Sequence, residues 1–238
     1  MKDGREYMRK TLICIGDSIT EGVGSSNANI YSYVAQLGIL LGSDYEVVNC
    51  GRNGATLMKP ANGSDDQYKK QSQFNKAIET AKNAHKEGSQ LIVSIMLGTN
   101  DGDIASYGFT ERSEVYYNKY HDVFLDEMFF LINTFIQICP LTQFIIAKSP
   151  YSYDPVKHKN YGNLHSVWKF QEEAVIICRE KNIPVLTCDM AFATSPEIIG
   201  KDKGVTVFYG DRLHPNDVGH MYFAHFFYEA VKSIIEYI

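Results

Sequence analysis

The hydrophobic residues of this chain fall into short uninterrupted runs that are separated by longer segments of mixed polarity. Five runs have the length expected of strands, and they cover residues 11–16, 45–51, 90–98, 143–150 and 183–189. Their apolar residues are mostly continuous and do not alternate with polar ones. This pattern is typical of strands that are buried on both faces of a parallel sheet.

Helical periodicity occupies the segments between the runs, and the predicted helices cover residues 32–42, 69–87, 112–138, 163–182 and 216–237. For the last helix the predicted buried stripe consists of Val218, Met221, Tyr222, Val231, Ile234 and Ile235. Strands alternating with helices predict a doubly wound α/β fold, a three-layer α/β/α sandwich with a five-stranded parallel sheet. The chain shows no repeat, low-complexity tract or linker, so we predict a single domain over residues 1–238.

The composition narrows the classes of function. Hydrophobic residues make up 45% and charged residues 21% of the chain, as in ordinary globular proteins. A net charge of −5 without a basic block argues against a nucleic-acid partner. The longest apolar runs are too short for an integral membrane segment. The charged N-terminal stretch does not resemble a signal peptide, and the five cysteines form no C-x-x-C pair. Both features predict a cytoplasmic protein with buried free thiols.

Small and polar residues follow the predicted strands, where open α/β sheets bind their ligands. Ser18 follows the first strand, Gly54 the second and Asn100 the third, while Asp211 and His214 precede the last helix. They offer a nucleophile, two hydrogen-bond donors, a carboxylate and a base. Acyl transfer requires this set, with the carboxylate holding the far ring nitrogen of the base. Taken singly, each residue also suits a turn or a helix cap, so both interpretations stay open at this point.

Four blocks of sequence resemble the GDSL or SGNH family of esterases and lipases. They are GDSIT at 16–20, NCGRNGAT at 49–56, LGTND at 97–101 and DRLHPND at 211–217, in the family's order and over nearly the whole chain. The first block has isoleucine where the family name has leucine. The resemblance implies the flavodoxin-like SGNH hydrolase fold and a triad of Ser18, His214 and Asp211. It also implies an oxyanion hole made by the backbone N–H groups of Ser18 and Gly54 and the side-chain amide of Asn100.

The sequence constrains the substrate less than the reaction. Tyr151 and Tyr153 lie in a predicted surface loop after the fourth strand, where they either hold a sugar ring or an acyl group or simply pack the loop. Asp17 and Asn53 are further candidates for substrate contact, with structural hydrogen bonding as the alternative. A short chain without a hydrophobic lid segment favours a small acyl group, such as acetyl, on a carbohydrate.

Other functions are compatible with the same blocks. A lysophospholipase or thioesterase, or an acyltransferase with an alcohol in place of water, would use the same serine. A non-catalytic carbohydrate-binding protein is disfavoured by the complete set of reactive residues. Nucleotide binding is disfavoured because Asp17 and Glu21 would repel phosphate. We predict no cofactor and no metal, because Asp101, Asp103 and the histidines lack a ligand spacing. A homo-oligomer stays open.

Overall fold

Five parallel strands form the centre of the structure, a computed structural model that describes residues 9–59, 71–103, 113–153, 163–200 and 212–236. The strands are β1 (Lys10–Gly16), β2 (Tyr45–Gly51), β3 (Gln90–Met96), β4 (Gln143–Ala147) and β5 (Val185–Cys188). They lie in the order β2-β1-β3-β4-β5, and every pair is parallel. The predicted five-stranded parallel sheet is confirmed.

Helices cover both faces of this sheet. They are α1 (Ser18–Glu21), α2 (Ala28–Tyr31), α3 (Tyr33–Leu41), α4 (Gln71–Lys86), α5 (Ser113–Ile138), α6 (Leu164–Glu180), α7 (Met190–Ala193), α8 (Pro196–Ile199) and α9 (Asp217–Glu236). Helices α4, α5 and α6 contribute to the hydrophobic core on one face, and α3 and α9 to the core on the other. The predicted three-layer α/β/α sandwich is therefore confirmed.

The uninterrupted apolar runs are explained by these two cores. In β1, Ile13 and Ile15 enter the core formed with α4, α5 and α6, whereas Leu12 and Cys14 enter the core formed with α3 and α9. Successive side chains of a strand point to opposite faces, so a strand covered on both sides needs apolar residues at every position. All five cysteines are buried free thiols, as predicted.

Two strands end two or three residues earlier than the sequence predicts. We predicted strands over 90–98 and 143–150, but β3 ends at Met96 and β4 at Ala147. The side-chain amide of Gln171 on α6 donates to the carbonyl oxygens of Leu97 and Ala147, at 2.8 and 3.2 Å. The Gln171 side chain thus satisfies backbone carbonyl groups at and just beyond the last strand pairs. An apolar sequence does not reveal that a helix side chain takes the place of a neighbouring strand.

The predicted buried stripe of the last helix is partly wrong. Val218 and Met221 are 46% and 48% exposed, and the buried face instead carries His220, Phe223 and Phe227. Aromatic residues lie on several sides of this helix, so apolar spacing alone did not select its buried face. Among the described residues no helix is long and apolar enough to cross a membrane.

His220 is held neutral in the core beside α3. Its Nδ1 accepts the backbone N–H of Tyr33 at 3.2 Å, and its Nε2 donates to the Val23 carbonyl oxygen at 3.2 Å. The ring also stacks on the Tyr33 ring, with 6.5 Å between centroids. Burial lowers the pKa of His220 to about 4, because a charged imidazolium would lose its hydration.

We therefore expect His220 to make the protein less stable as the pH falls. Above about pH 6.5 the histidine is neutral in both states, and its contribution to stability is fully present. Between about pH 6.5 and the folded pKa of about 4, only the unfolded chain takes up the proton. The contribution of His220 to the free energy of unfolding then decreases by roughly 2–3 kcal/mol. Urea titrations of the wild type and of a His220 variant at neutral pH and near pH 4.5 give this loss as a difference.

The matched comparison is His220→Gln against His225→Gln, since His225 is exposed on the same helix. His225→Gln should keep the pH dependence of the wild type, whereas His220→Gln should lack the acid-dependent loss. Burial raises the pKa of the Asp17 and Asp101 carboxyl groups, so both titrate in the opposite sense, but they are common to all three proteins and their contribution cancels. Equal pH slopes for wild type and His220→Gln would contradict the prediction.

Candidate active site

The first three strands of the sheet end at the same level. Gly16, the last residue of β1, is in register with Gly51 of β2 on one side and with Met96 of β3 on the other. The residues that follow these strands therefore emerge side by side at the carboxyl edge of the sheet. One of the predicted blocks follows β3 directly, and two others overlap the ends of β1 and β2.

Ser18 and His214 are in contact although 196 positions separate them in the chain. The Ser18 Oγ lies 2.8 Å from His214 Nε2. Ser18 is the first residue of α1 and is 6% exposed, so its hydroxyl is held at a helix start directly beyond a rigid strand. His214 is half-buried and lies three residues before α9. The structure thus brings together the hydroxyl and the imidazole that the sequence singled out.

Asp17 lies between β1 and Ser18 and caps α1. Its carboxylate accepts the backbone N–H of Ile19 at 3.0 Å, and the residue is 1% exposed. Burial raises the pKa of Asp17, while the Ile19 hydrogen bond acts in the other direction. Asp17 therefore makes the hydrogen bond expected of a structural residue, because its carboxylate fixes the first turn of the helix that carries Ser18.

Gly54 lies in the turn after β2. Its φ of +72° belongs to the left-handed region, where a side chain would be strained. Beside it, the backbone N–H of Asn53 donates to the Glu21 carboxylate at 2.6 Å, and Asn53 itself is exposed. Glu21 is the last residue of α1, so this bond joins the helix that begins with Ser18 to the turn that carries Gly54.

Asn100 and Asp101 hold the same turn from the side of β3. The Asn100 side-chain amide donates to the Ala55 carbonyl oxygen at 2.8 Å. The fully buried Asp101 carboxylate accepts the backbone N–H of Leu57 at 3.0 Å and that of Met58 at 2.7 Å. Burial raises the pKa of Asp101 to about 7, although these N–H groups favour its ionised form. The turn after β2 is therefore fixed to the end of β3 by two adjacent side chains.

Three further residues were predicted at the site, Asp211, Tyr151 and Tyr153, and the backbone N–H of Tyr153 donates to the Arg212 carbonyl oxygen at 3.0 Å, two residues before His214. Asp211 lies outside the described residues, so its part in the site stays a prediction. Tyr153 is 8% exposed and donates from its hydroxyl to the Thr194 carbonyl oxygen at 2.8 Å. Tyr151 is half-buried, and its ring meets that of Tyr153 edge-on at 5.2 Å. Tyr153 thus joins the loop after β4 to the segment after α7, and Tyr151 keeps the more accessible ring.

A buried cation follows β4 and is engaged with carboxylates. The Lys148 ammonium contacts the Glu172 carboxylate and lies 2.7 Å from the Asp189 carboxylate. These pairs join the ends of β4 and β5 to α6. Within the described ranges no group of three or more His, Cys, Asp or Glu residues is arranged to hold a metal ion.

The site contains two contacts that sequence reasoning missed. From the sequence, Glu21 is considered only as a charge that would repel phosphate, and Asp101 only as part of the LGTND block and as a residue without metal-ligand spacing. Both carboxylates accept backbone N–H groups of the turn after β2, over sequence separations of 32 and 44 residues for Asn53 and Leu57. The only sequence signal for these contacts is an acidic residue in or beside a reactive block. This signal does not identify the backbone group that the carboxylate binds.

The assembled groups suit nucleophilic acyl transfer. A serine hydroxyl touches an imidazole that can accept its proton, and an amide side chain and a glycine turn lie at the neighbouring strand ends. Such chemistry needs the base within about 2.6–3.2 Å of the nucleophile, and the observed 2.8 Å falls in this range.

Comparison with known proteins gives a consistent picture. Residues 14–222 match the family described as the GDSL-like lipase/acylhydrolase family. No curated protein matches the chain. The solved structure of the M. smegmatis aryl esterase is similar, with 16% identity, a TM-score of 0.63, and coverage of 94% of this chain and 99% of that one.

Two further solved structures share the fold. Est24, a carbohydrate acetylesterase from Sinorhizobium meliloti, is 13% identical with a TM-score of 0.61, over 95% of this chain and 100% of that one. The acetyl xylan esterase AlAXEase is 17% identical with a TM-score of 0.60, over 93% of this chain and 99% of that one. At these identities the likeness demonstrates the shared fold.

Proposed function

The chain belongs to the GDSL-like lipase/acylhydrolase family and is a carboxylic ester hydrolase, and from this premise we propose that it removes a short acyl group, such as acetyl, from a carbohydrate through Ser18. The observation that carries the mechanism is the 2.8 Å contact between Ser18 Oγ and His214 Nε2.

The proposed reaction has two steps that use the same groups. In the first, Ser18 Oγ attacks the ester carbonyl while His214 Nε2 takes its proton, and the alcohol then leaves with that proton. In the second, water attacks the acyl-enzyme, its proton passes to His214, and Ser18 leaves as the hydroxyl again. Asp211, which the family resemblance assigns to the triad, would accept the Nδ1–H of His214 and stabilise the imidazolium that forms.

The oxyanion would be bound by three donors. Ser18 is the first residue of α1, where a backbone N–H has no acceptor within the helix. The Gly54 N–H is offered by a turn that Glu21 and Asn100 hold from opposite sides. A side-chain amide carries two N–H groups, so Asn100 can donate one to the Ala55 carbonyl oxygen and keep the other for the oxyanion. Donors fixed in advance stabilise the transition state without reorganisation.

Three features support a small acyl group on a sugar. Tyr151 offers a half-exposed aromatic ring in the loop after β4, and such rings pack well against sugar rings. Two similar structures are named as a carbohydrate acetylesterase and an acetyl xylan esterase. The sequence also lacks a hydrophobic lid segment that would cover a long acyl chain. The similarity to the aryl esterase from M. smegmatis supports aryl esters as the second candidate.

A comparison of substrates tests this proposal. The kcat/KM should be highest for acetyl esters and should fall roughly tenfold or more along p-nitrophenyl esters from acetate to octanoate, because a small pocket excludes added methylenes. Acetylated xylo-oligosaccharides should be cleaved with a higher kcat/KM than ethyl acetate, an alkyl ester of similar reactivity that lacks the sugar, if the carbohydrate contributes binding. A preference for octanoate would contradict the small acyl pocket. Equal kcat/KM values for the sugar acetate and ethyl acetate would contradict the carbohydrate substrate and favour the aryl ester.

A further inference from the structure

The 22–26 segment, which follows α1, is attached to the peptide of the nucleophile. The backbone N–H groups of Gly22 and Val23 both donate to the Ser18 carbonyl oxygen, at 3.1 and 2.9 Å. Two hydrogen bonds to one carbonyl leave little freedom between Ser18 and the residues that come next. Residues that contact the 22–26 segment are therefore held in a fixed position relative to Ser18.

The same segment packs against the chain at His214. Gly24 has a φ of +93°, and a Cβ built on it would overlap the Pro215 carbonyl oxygen and lie 2.9 Å from the Cβ of His214. Only a residue without a side chain permits this approach. The backbone of the 22–26 segment thus lies directly against the residue that carries the imidazole.

Two polar contacts extend this attachment into α9. The Asp217 carboxylate accepts the Ser26 backbone N–H at 2.7 Å and the Ser26 hydroxyl at 2.6 Å, so both oxygens are used. His220 donates to the Val23 carbonyl oxygen one turn later. Asp217 is the first residue of α9 and lies three residues after His214. The hydrogen bonds to Ser26 lower the pKa of Asp217, which keeps the carboxylate ionised and accepting.

We propose that Asp217 and Ser26 are positioning residues that set the approach of the His214 imidazole to the Ser18 hydroxyl. The proposal rests on the proposed function. The Asp217–Ser26 contacts connect the segment fixed to Ser18 with the helix that begins just after His214, so they restrain the two reacting groups relative to each other. Neither residue touches the reacting atoms. A displacement of about 1 Å at a reacting group can cost on the order of a hundredfold in rate, so a small shift would be measurable.

A merely structural role makes a different prediction. Both residues lie at the surface, where hydrogen bonds replace bonds to water and contribute only modestly to global stability. If the contacts only held the surface together, their loss would slightly lower the melting temperature and leave kcat unchanged. If they position His214, kcat falls while KM and the melting temperature stay close to those of the wild type.

The test compares Asp217→Ala with Asp217→Asn in the full chain. Asp217→Ala should lower kcat on p-nitrophenyl acetate about tenfold, with KM within about twofold, because the imidazole is less well placed. It should slow the labelling of Ser18 by a fluorophosphonate to a similar extent. Asp217→Asn should retain most of the activity, since its amide oxygen accepts the Ser26 N–H and its amide nitrogen donates to the Ser26 hydroxyl oxygen.

The controls separate this inference from the proposed function. Glu229→Ala removes an exposed carboxylate from the same helix and should leave kcat unchanged. Ser26→Ala combined with Asp217→Ala should cost no more than Asp217→Ala alone, because the two side chains act as one contact. Wild-type kcat in Asp217→Ala, or equal losses in the Ala and Asn variants, would overturn the positioning role. Failure of the fluorophosphonate to label Ser18 in the wild type would instead overturn the proposed function.

Discussion

Replacing Ser18 with alanine is expected to lower kcat for ester hydrolysis by on the order of 10⁵-fold, because the variant has no nucleophile to form an acyl-enzyme. The Ser18 Oγ is the atom that contacts His214 Nε2 at 2.8 Å, and alanine leaves this imidazole without a hydroxyl to deprotonate. The remaining rate would come from substrate binding and oxyanion stabilisation alone. Initial rates on p-nitrophenyl acetate, measured at saturating substrate, give the change in kcat directly.

Covalent labelling provides the second readout for this variant. A fluorophosphonate should add one adduct to the wild type, located at Ser18 by mass spectrometry, and none to Ser18→Ala. Ser233→Ala is the matched control, since its hydroxyl is exposed on α9 and donates only to the Glu229 carbonyl oxygen. The control should keep full activity and labelling. Substantial turnover by Ser18→Ala, or an adduct at another residue, would show that the nucleophile is elsewhere.

Replacing Asn100 with alanine is expected to lower kcat by roughly 10²–10³-fold, or about 3–4 kcal/mol, which is the usual cost of one oxyanion donor. The loss should appear in kcat and leave KM nearly unchanged, because the donor binds charge that develops only in the transition state. Asn100 is 7% exposed, so its amide works in a largely water-excluded site where such a bond is strong. Steady-state kinetics on the same ester measure both parameters.

A second effect of this substitution must be separated from the first. Asn100→Ala also removes the hydrogen bond to the Ala55 carbonyl oxygen, which holds the turn carrying Gly54. That loss should lower the free energy of unfolding by about 1 kcal/mol, and urea titration measures it independently of activity. Asn83→Ala, on the exposed face of α4, controls for the loss of an amide elsewhere. Near wild-type kcat in Asn100→Ala would remove this residue from the mechanism.

The sequence alone determined the layers of the fold. Strands such as β1 and β3 are covered on both faces, so nearly every position is apolar and the runs are conspicuous. The long helices were predicted within one or two residues of their ends. The four-residue helices α1, α2, α7 and α8 were not, because one turn is too short for any periodicity to appear.

The sequence also predicts which edge of the sheet carries the candidate site residues. Ser18, Gly54 and Asn100 lie where strands end, and in a parallel sheet all such ends meet at one edge. Two of the residues predicted as candidates for substrate contact make structural hydrogen bonds. The Tyr153 hydroxyl bonds the Thr194 carbonyl oxygen, and Asp17 caps a helix. Tyrosine and aspartate occur in both structural and substrate-binding roles, so the residue type alone does not distinguish one role from the other.

Tertiary structure alone decided how these residues are held. The 2.8 Å approach of His214 to Ser18 and the contact of Asp217 with Ser26 each join positions more than 190 residues apart. Asp101 reaches the backbone of Leu57 over 44 residues. The local sequence determines the propensity to form a strand, a turn or a cap, because these depend on near neighbours. It does not determine which distant backbone group a carboxylate will contact, since that depends on the order of the strands and the packing of the helices.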